Sequence, residues 1–225
     1  MIHLAGILPS AFEADPLLGA DVNLNGSCEL LRQSAAAHVK RFIFASSMSV
    51  YGSSAIMRPL AEDDPVTPDD LYGAAKLDVE FAGQALATKK PFEFVSLRIA
   101  RVVGPGIRKT SSPWRSEIFA ARPTGEPVRL PFTPDAKLSL VHVQDVARML
   151  LILAAVPSFN YAVYNTPVEI WEARQLKATV EELRGIRVEL GPAQAHGGPV
   201  CDGSRFAQEF AFKLCPLRTY LSTKA

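Results

Sequence analysis

Residues 41–51, RFIFASSMSVY, and residues 69–80, DDLYGAAKLDVE, decide how this chain is read. RFIFA packs aromatic and β-branched residues into a short apolar run, the pattern of a buried strand. It leads straight into Ser46, Ser47 and Ser49, so a strand delivers hydroxyls to its C-terminal end. In open α/β sheets that edge is where ligands bind. After an intervening loop, Asp69 and Asp70 supply acidic residues for a helix N-terminus. Tyr72 and Lys76 follow on that helix four positions apart, hence on one face. A phenol and an ammonium are then neighbours.

That pairing has a chemical use. A free tyrosine titrates near pH ~10 and is a poor base at neutrality, but an adjacent cation favours the phenolate. Lys76 is the candidate cation and Ser47 the best placed hydroxyl to face the phenol. Together they would grip a substrate oxygen and take or give its proton. Taken alone, Tyr-x-x-x-Lys is far more often an ordinary surface pair. Its weight depends on the rest of the chain.

Working outward, Ile2–Ala5 reads as a strand ending at Gly6, followed by a loop to Leu18. Residues 17–38 carry a helical period through Leu24, Cys28, Leu31 and Ala35. FEFVSLRIARVVG, residues 92–104, reads as one further buried strand, closed by the turn signal Gly104-Pro105-Gly106. Residues 109–140 are loop-rich, with prolines at 113, 123, 127, 131 and 134. A helix follows His142, then a short strand near Tyr161–Asn165, an amphipathic helix from Ile170 to Arg184, and a last strand at RVEL.

Composition bounds the function. Hydrophobic residues make up 48% of 225, enough for a core, and the net charge is +1. No basic stripe suggests nucleic acid, so the partners implied are small molecules. The most apolar window, 146–156, is broken by Arg148 and is shorter than the ~20 residues of a membrane span. Cys28, Cys201 and Cys215 are odd in number and lack metal-ligand spacing, which fits buried thiols in a reducing cytosol, no metal site and a cytoplasmic location.

Together these segments resemble the extended short-chain dehydrogenase/reductase family, the NAD-dependent epimerase/dehydratase group. FIFASSMSVYG and YGAAK resemble its serine segment and its Tyr-x-x-x-Lys. Further resemblances follow in order: HLAG at 3–6, NLNGSCELL at 23–31, LRIARVVGPG at 97–106, HVQDVAR at 142–148, YAVYNTP from Tyr161 and DGSRFAQEFAFKLCP near the end. The resemblance implies an α/β fold: an incomplete Rossmann-like doubly wound parallel sheet with a small C-terminal substrate-binding region. Residues 1–106 would hold the remaining core and the catalytic residues. Residues 107–225 would hold a substrate lid, the final core strand and the rest.

The same resemblance implies site roles. Ser47, Tyr72, Lys76 and Asn25 would be catalytic, Asn25 supporting a proton relay. Ala5, Gly6, Ser46, Tyr72 and Lys76 would touch NAD or NADP, since small residues let backbone approach a dinucleotide closely. Ser47, Met48, Ser49 and Arg101 would meet the substrate. Arg101 stands where many relatives carry an asparagine, and its cation would suit a sugar acid. Trp114, Arg115 and Arg129 are conceivable lid contacts. Where nucleotide-sugar epimerases place a diphosphate-binding arginine, this chain has Leu138, which argues against a nucleotide sugar. The helices around 25–36 and 77–87 resemble the family's four-helix dimer seam, so a homodimer is one option.

One feature of the family is not found. Its members begin with a strand and a G-x-x-G-x-x-G turn for the pyrophosphate, whereas HLAG corresponds to the fourth strand. A β-α-β-α-β half of roughly 60–70 residues is therefore expected to be missing, which would leave an open sheet edge. A fragment, a natural loss and a pairing partner chain all account for this. The expected activity is an NAD(P)-dependent oxidoreductase or epimerase acting on a sugar or sugar acid, impaired by weak cofactor binding. The alternative is a noncatalytic binding or scaffolding relative.

Overall fold

The computed structural model describes residues 1–52, 58–106, 112–120, 125–191 and 198–223. Its strands are β1 (Ile2–His3), β2 (Arg41–Ser47), β3 (Glu93–Ile99), β4 (Arg101–Val103), β5 (Val128–Leu130), β6 (Lys137–His142), β7 (Val163–Asn165), β8 (Glu169–Glu172) and β9 (Val188–Leu190). The first sheet runs in the order β1-β2-β3-β7 and is parallel throughout. Its centre is β2, buried from Phe42 to Ser46. Phe42 and Phe44 face a cluster with Leu31, Val79, Phe92 and Phe94, supplied by the helices Ser27–Ala36 and Leu71–Ala87 and by β3. On the other face Ile43, Val95 and Leu97 meet Met149 and Leu153 of the helix Val143–Ala155. Helices on both faces explain why RFIFA is apolar without alternation. This is the expected Rossmann-like, doubly wound arrangement.

The strand expected over residues 92–104 is broken in two. The backbone N–H of Ala100 donates to Thr166 Oγ1 at 3.0 Å, taking that peptide out of the ladder. β3 stays in the first sheet, while β4 joins a second sheet in the order β4-β6-β8, with β8 antiparallel. β5 and β9 form a separate parallel pair. These short sheets close over a second core that includes Trp114, Ile118, Leu138, Leu176 and Val180. The helix expected from Ile170 also starts later. Residues 169–172 pair as β8, and a capping box between Glu172 and Gln175 opens the helix Ala173–Arg184. Among the described residues no helix is long and apolar enough to cross a membrane.

The expected helix over 17–38 is a composite: Pro16–Ala20, a wide π turn over Asp21–Gly26, then Ser27–Ala36. Its apolar period packs as expected, with Leu31 buried and Leu24, Cys28 and Ala35 partly so. The asparagine that turns inward, however, is Asn23. It is fully buried, accepts from the Ile7 N–H at 2.7 Å and donates to the Ile7 carbonyl at 2.8 Å. Both backbone polar groups of Ile7, just beyond β1, are met by one amide side chain. Asn25 lies exposed and donates to Asp21 Oδ1 at 2.9 Å, so the relay position expected for it is not where its side chain points.

The two asparagines should therefore respond differently to truncation. Asn23→Ala leaves the Ile7 groups without partners and is expected to cost roughly 2–4 kcal/mol. Asn25→Ala should stay within about 0.5 kcal/mol of the parent. Urea unfolding of the two variants tests this, and equal losses would refute the placement.

Candidate active site

At the end of β2 the chain turns sharply. Ser47 is extended, and its Oγ accepts from the N–H of Ser49 at 3.1 Å while donating to Ser49 Oγ at 3.2 Å. A 3₁₀ turn, Met48–Tyr51, follows. The helix Leu71–Ala87 begins directly against it. Asp70 caps this helix, its carboxylate accepting from the N–H of Gly73. A Cβ on Gly73 would lie 2.5 Å from the Ser49 carbonyl oxygen, so a side chain there would drive helix and turn apart. This close approach gives the glycine after Tyr72 its purpose, and it brings the Tyr72 phenol into one cavity with Ser47, near enough for the serine hydroxyl to favour the phenolate.

Lys76 stands one turn further on, as the four-residue spacing predicts, and is 4% exposed. Its Nζ donates to the Ala45 carbonyl at 2.9 Å and lies 4.6 Å from the Phe44 ring centroid and 5.6 Å from that of Tyr72. Burial among these groups pulls the ammonium down to about 8, against a smaller opposing pull from Glu80. Tyr72 moves the other way. Burial raises its phenol above the usual value, and the Ser47 hydroxyl and the positive charge of Arg115 offset part of that rise. Lys76 lies against the phenol ring as expected, and Arg115 is a second cation that bears on the phenol.

Arg115 comes from the short helix Trp114–Glu117 and faces the same cavity as Arg101, the first residue of β4. Arg101 Nη1 and Arg115 Nε are both buried and have no hydrogen-bond partner. An unmet buried donor costs about 1–3 kcal/mol, and more on a charged group. Arg101 also lies over the Phe132 ring, 5.0 Å from its centroid. Its guanidinium is pulled down to about 10, first by burial and then by the charge of Arg115.

The cavity measures about 430 Å³ and opens at the C-terminal edge of the first sheet. It gathers Gly6, Ser46, Ser47, Met48, Ser49, Tyr72, Lys76 and Arg101 of the residues expected from sequence. Ala5 is exposed and does not line it, and neither does Asn25. Of the conceivable lid contacts only Arg115 reaches the cavity. Trp114 is buried in the second core, and Arg129 is exposed, 3.8 Å from Glu189. Asn23, unforeseen, stands behind Gly6: a Cβ on that glycine would lie 3.2 Å from Asn23 Oδ1 and 3.5 Å from Lys76 Nζ. A signal for it was available, because Asn23, Ser27, Leu31 and Ser34 share a helical period and all are buried. Among the described residues no group of three or more His, Cys, Asp or Glu could hold a metal.

Comparison with known proteins gives this geometry a setting. The profile of the NAD dependent epimerase/dehydratase family matches residues 1–166. UDP-glucose 4-epimerase of Vibrio cholerae is 33% identical over 145 residues, 62% of this chain and 42% of that protein. D-erythronate dehydrogenase of Cupriavidus necator is 30% identical over 177 residues, 74% of this chain and 53% of that protein. Among solved structures, MoeE5 in complex with UDP-glucuronic acid and NAD superimposes with a TM-score of 0.83 at 28% identity, covering 99% of this chain and 76% of that one. The chain thus spans about half the length, or less, of these curated relatives and about three quarters of the solved structure. With a match over most of its length and the same fold, the chain belongs to the NAD dependent epimerase/dehydratase family.

Proposed function

We propose that this chain carries the proton-transfer residues for nicotinamide-dependent oxidation, or oxidation-linked epimerisation, of a secondary alcohol on a sugar or sugar acid. The observation that carries the reading is the meeting of Tyr72, Ser47 and Lys76 in one cavity at the sheet edge. Ser47 holds the substrate oxygen. Tyr72 takes the alcohol proton at its phenolic oxygen in oxidation and returns it in reduction. Lys76, fixed by the Ala45 carbonyl, sits below the phenol and keeps two N–H groups for other partners.

The cofactor is NAD or NADP, whose nicotinamide ring accepts and returns the hydride when bound. The residues present fit its nicotinamide–ribose end. Gly6 keeps the backbone clear beside Asn23 and Lys76, and Ser46 Oγ is buried beside the cavity without a partner. MoeE5 was solved with NAD, which supports the same assignment here. The relatives include both UDP-glucose 4-epimerases and D-erythronate dehydrogenases. Leu138, wholly buried in the second core, offers no phosphate grip at its position on β6, which supports the sugar-acid reading. The other reading is a noncatalytic relative that binds a partner through the same sheet.

Tyr72→Phe separates the two. NADH formation followed by absorbance with sugar acids as substrates should fall at least 10³-fold in this variant, with its unfolding midpoint little changed. Turnover unchanged by the substitution, or absent from the parent at saturating NAD, would favour the noncatalytic reading.

The depressed Lys76 gives a second test. Between pH about 8 and its ordinary 10.5, the unfolded chain binds the proton that folded Lys76 has lost, so stability rises with pH across that window. Below pH 8 both states carry the proton and the burial penalty is constant. Measured by urea unfolding, the parent should gain roughly 2–4 kcal/mol over Lys76→Met between pH 7.5 and 10.5. Parallel curves would show that the ammonium is not buried.

A further inference from the structure

Arg101 and Arg115 are held together by the backbone as well as by the cavity they share. Arg101 opens β4, and at the end of that strand the N–H of Gly104 donates to the Arg115 carbonyl at 3.0 Å. Each guanidinium presents a buried N–H with no partner. Among the described residues Arg115 disfavours the charge on Arg101, and the Tyr72 phenol acts favourably on Arg115. Two like charges on one cavity wall are an unfavourable arrangement on their own. An anion between them supplies the missing acceptors and opposes both charges at once.

Location selects the kind of anion. Arg115 is near enough to the Tyr72 oxygen for its charge to favour the phenolate, so a group it holds lies beside the reacting alcohol. In a sugar acid the carboxylate is one or two bonds from a secondary hydroxyl. In a nucleotide sugar the diphosphate is attached at the anomeric carbon, across the ring from a reacting fourth carbon. Two planar forks, each with a free N–H, match the two oxygens of a carboxylate.

We propose that Arg101 and Arg115 form a two-pronged receptor for a carboxylate adjacent to the reacting alcohol, so that the site selects a sugar acid over the neutral sugar of the same skeleton. This rests on the reading of Tyr72 and Ser47 as the proton-transfer pair. The carboxylate has two possible sources, a free aldonate or a glycuronate carried on a nucleotide.

Calorimetric titration of the full chain with two matched pairs tests the proposal: D-erythronate against erythritol, and UDP-glucuronic acid against UDP-glucose. In at least one pair the acid should bind at least tenfold more tightly than its neutral partner. The pair that shows the preference identifies the source. Arg101→Met and Arg115→Met, checked for native circular dichroism, should reduce the preference below threefold. Arg101→Lys and Arg115→Gln, gentler on the fold, should reduce it at least threefold and carry the test where a methionine variant does not fold. Tyr72→Phe should keep the preference while losing turnover, so failure of the proton-transfer reading shows in turnover and failure of the receptor shows in binding. The proposal is overturned if neither acid outbinds its neutral partner, or if folded arginine variants keep the full preference.

Discussion

Arg98 and Glu80 meet in the interior, and the orientation of the helix Leu71–Ala87 depends on that meeting. Glu80 is fully buried and Arg98 nearly so, with Nη2 and Oε2 2.7 Å apart. Arg98 also donates to the Tyr51 hydroxyl at 2.9 Å, which donates in turn to Asn165 Oδ1 at 2.9 Å. Strands β3 and β7, the serine turn and the helix Leu71–Ala87 are thereby joined by one polar network. Buried charges are tolerated only when paired and hydrogen-bonded, so the network admits few alternative positions for its members. Tyr72, Lys76 and Glu80 recur every four residues. Fixing the third against β3 therefore fixes the rotation of the helix and the direction in which the first two point.

Sequence made legible what depends on neighbouring residues. The buried run at 42–45 sets β2, the acidic residues at 69–70 set the start of the helix, and the spacing of Tyr72 and Lys76 puts both on one side. Their meeting with Ser47 followed from the ligand-binding edge of a parallel sheet. What escaped depends on contacts distant in the chain. The break at Ala100 is made by Thr166, 66 residues later, and nothing local in an unbroken apolar run foretells it. Asn23 and Asn25 lie in one π turn, which sets the inward face so that Asn23 meets the backbone of Ile7, 16 residues earlier. Arg115 lay in a stretch rich in proline, where loop residues read alike until the Gly104–Arg115 bond brings one of them to the cavity.

The electrostatics of the cavity set three cations in one lining, two of them with a buried N–H that no acceptor meets. Lys76, Arg101 and Arg115 all line it, and burial works against the charge on each. The same burial holds the Tyr72 proton on, while Arg115 pulls the other way and does not prevail. The phenol is thus a held proton among three cations and the carboxylates of Asp69 and Asp70, which line the same cavity, Asp70 helping to hold that proton on. Such an arrangement gives up stability. Burying Lys76 under the phenol costs folding free energy at neutral pH, and the unmet guanidinium N–H groups add to it.

That cost also explains the glycines and small residues around the site. Gly73 lets the helix approach the Ser49 carbonyl, and Gly6 lets the chain beyond β1 pass beside Asn23 and Lys76. Larger residues would relieve the crowding by moving the helix outward, which would hydrate Lys76, lift its depressed pKa and lengthen the Tyr72–Ser47 contact together. Close backbone approach, a desolvated ammonium and the nearness of Tyr72 to Ser47 are consequences of one packing arrangement.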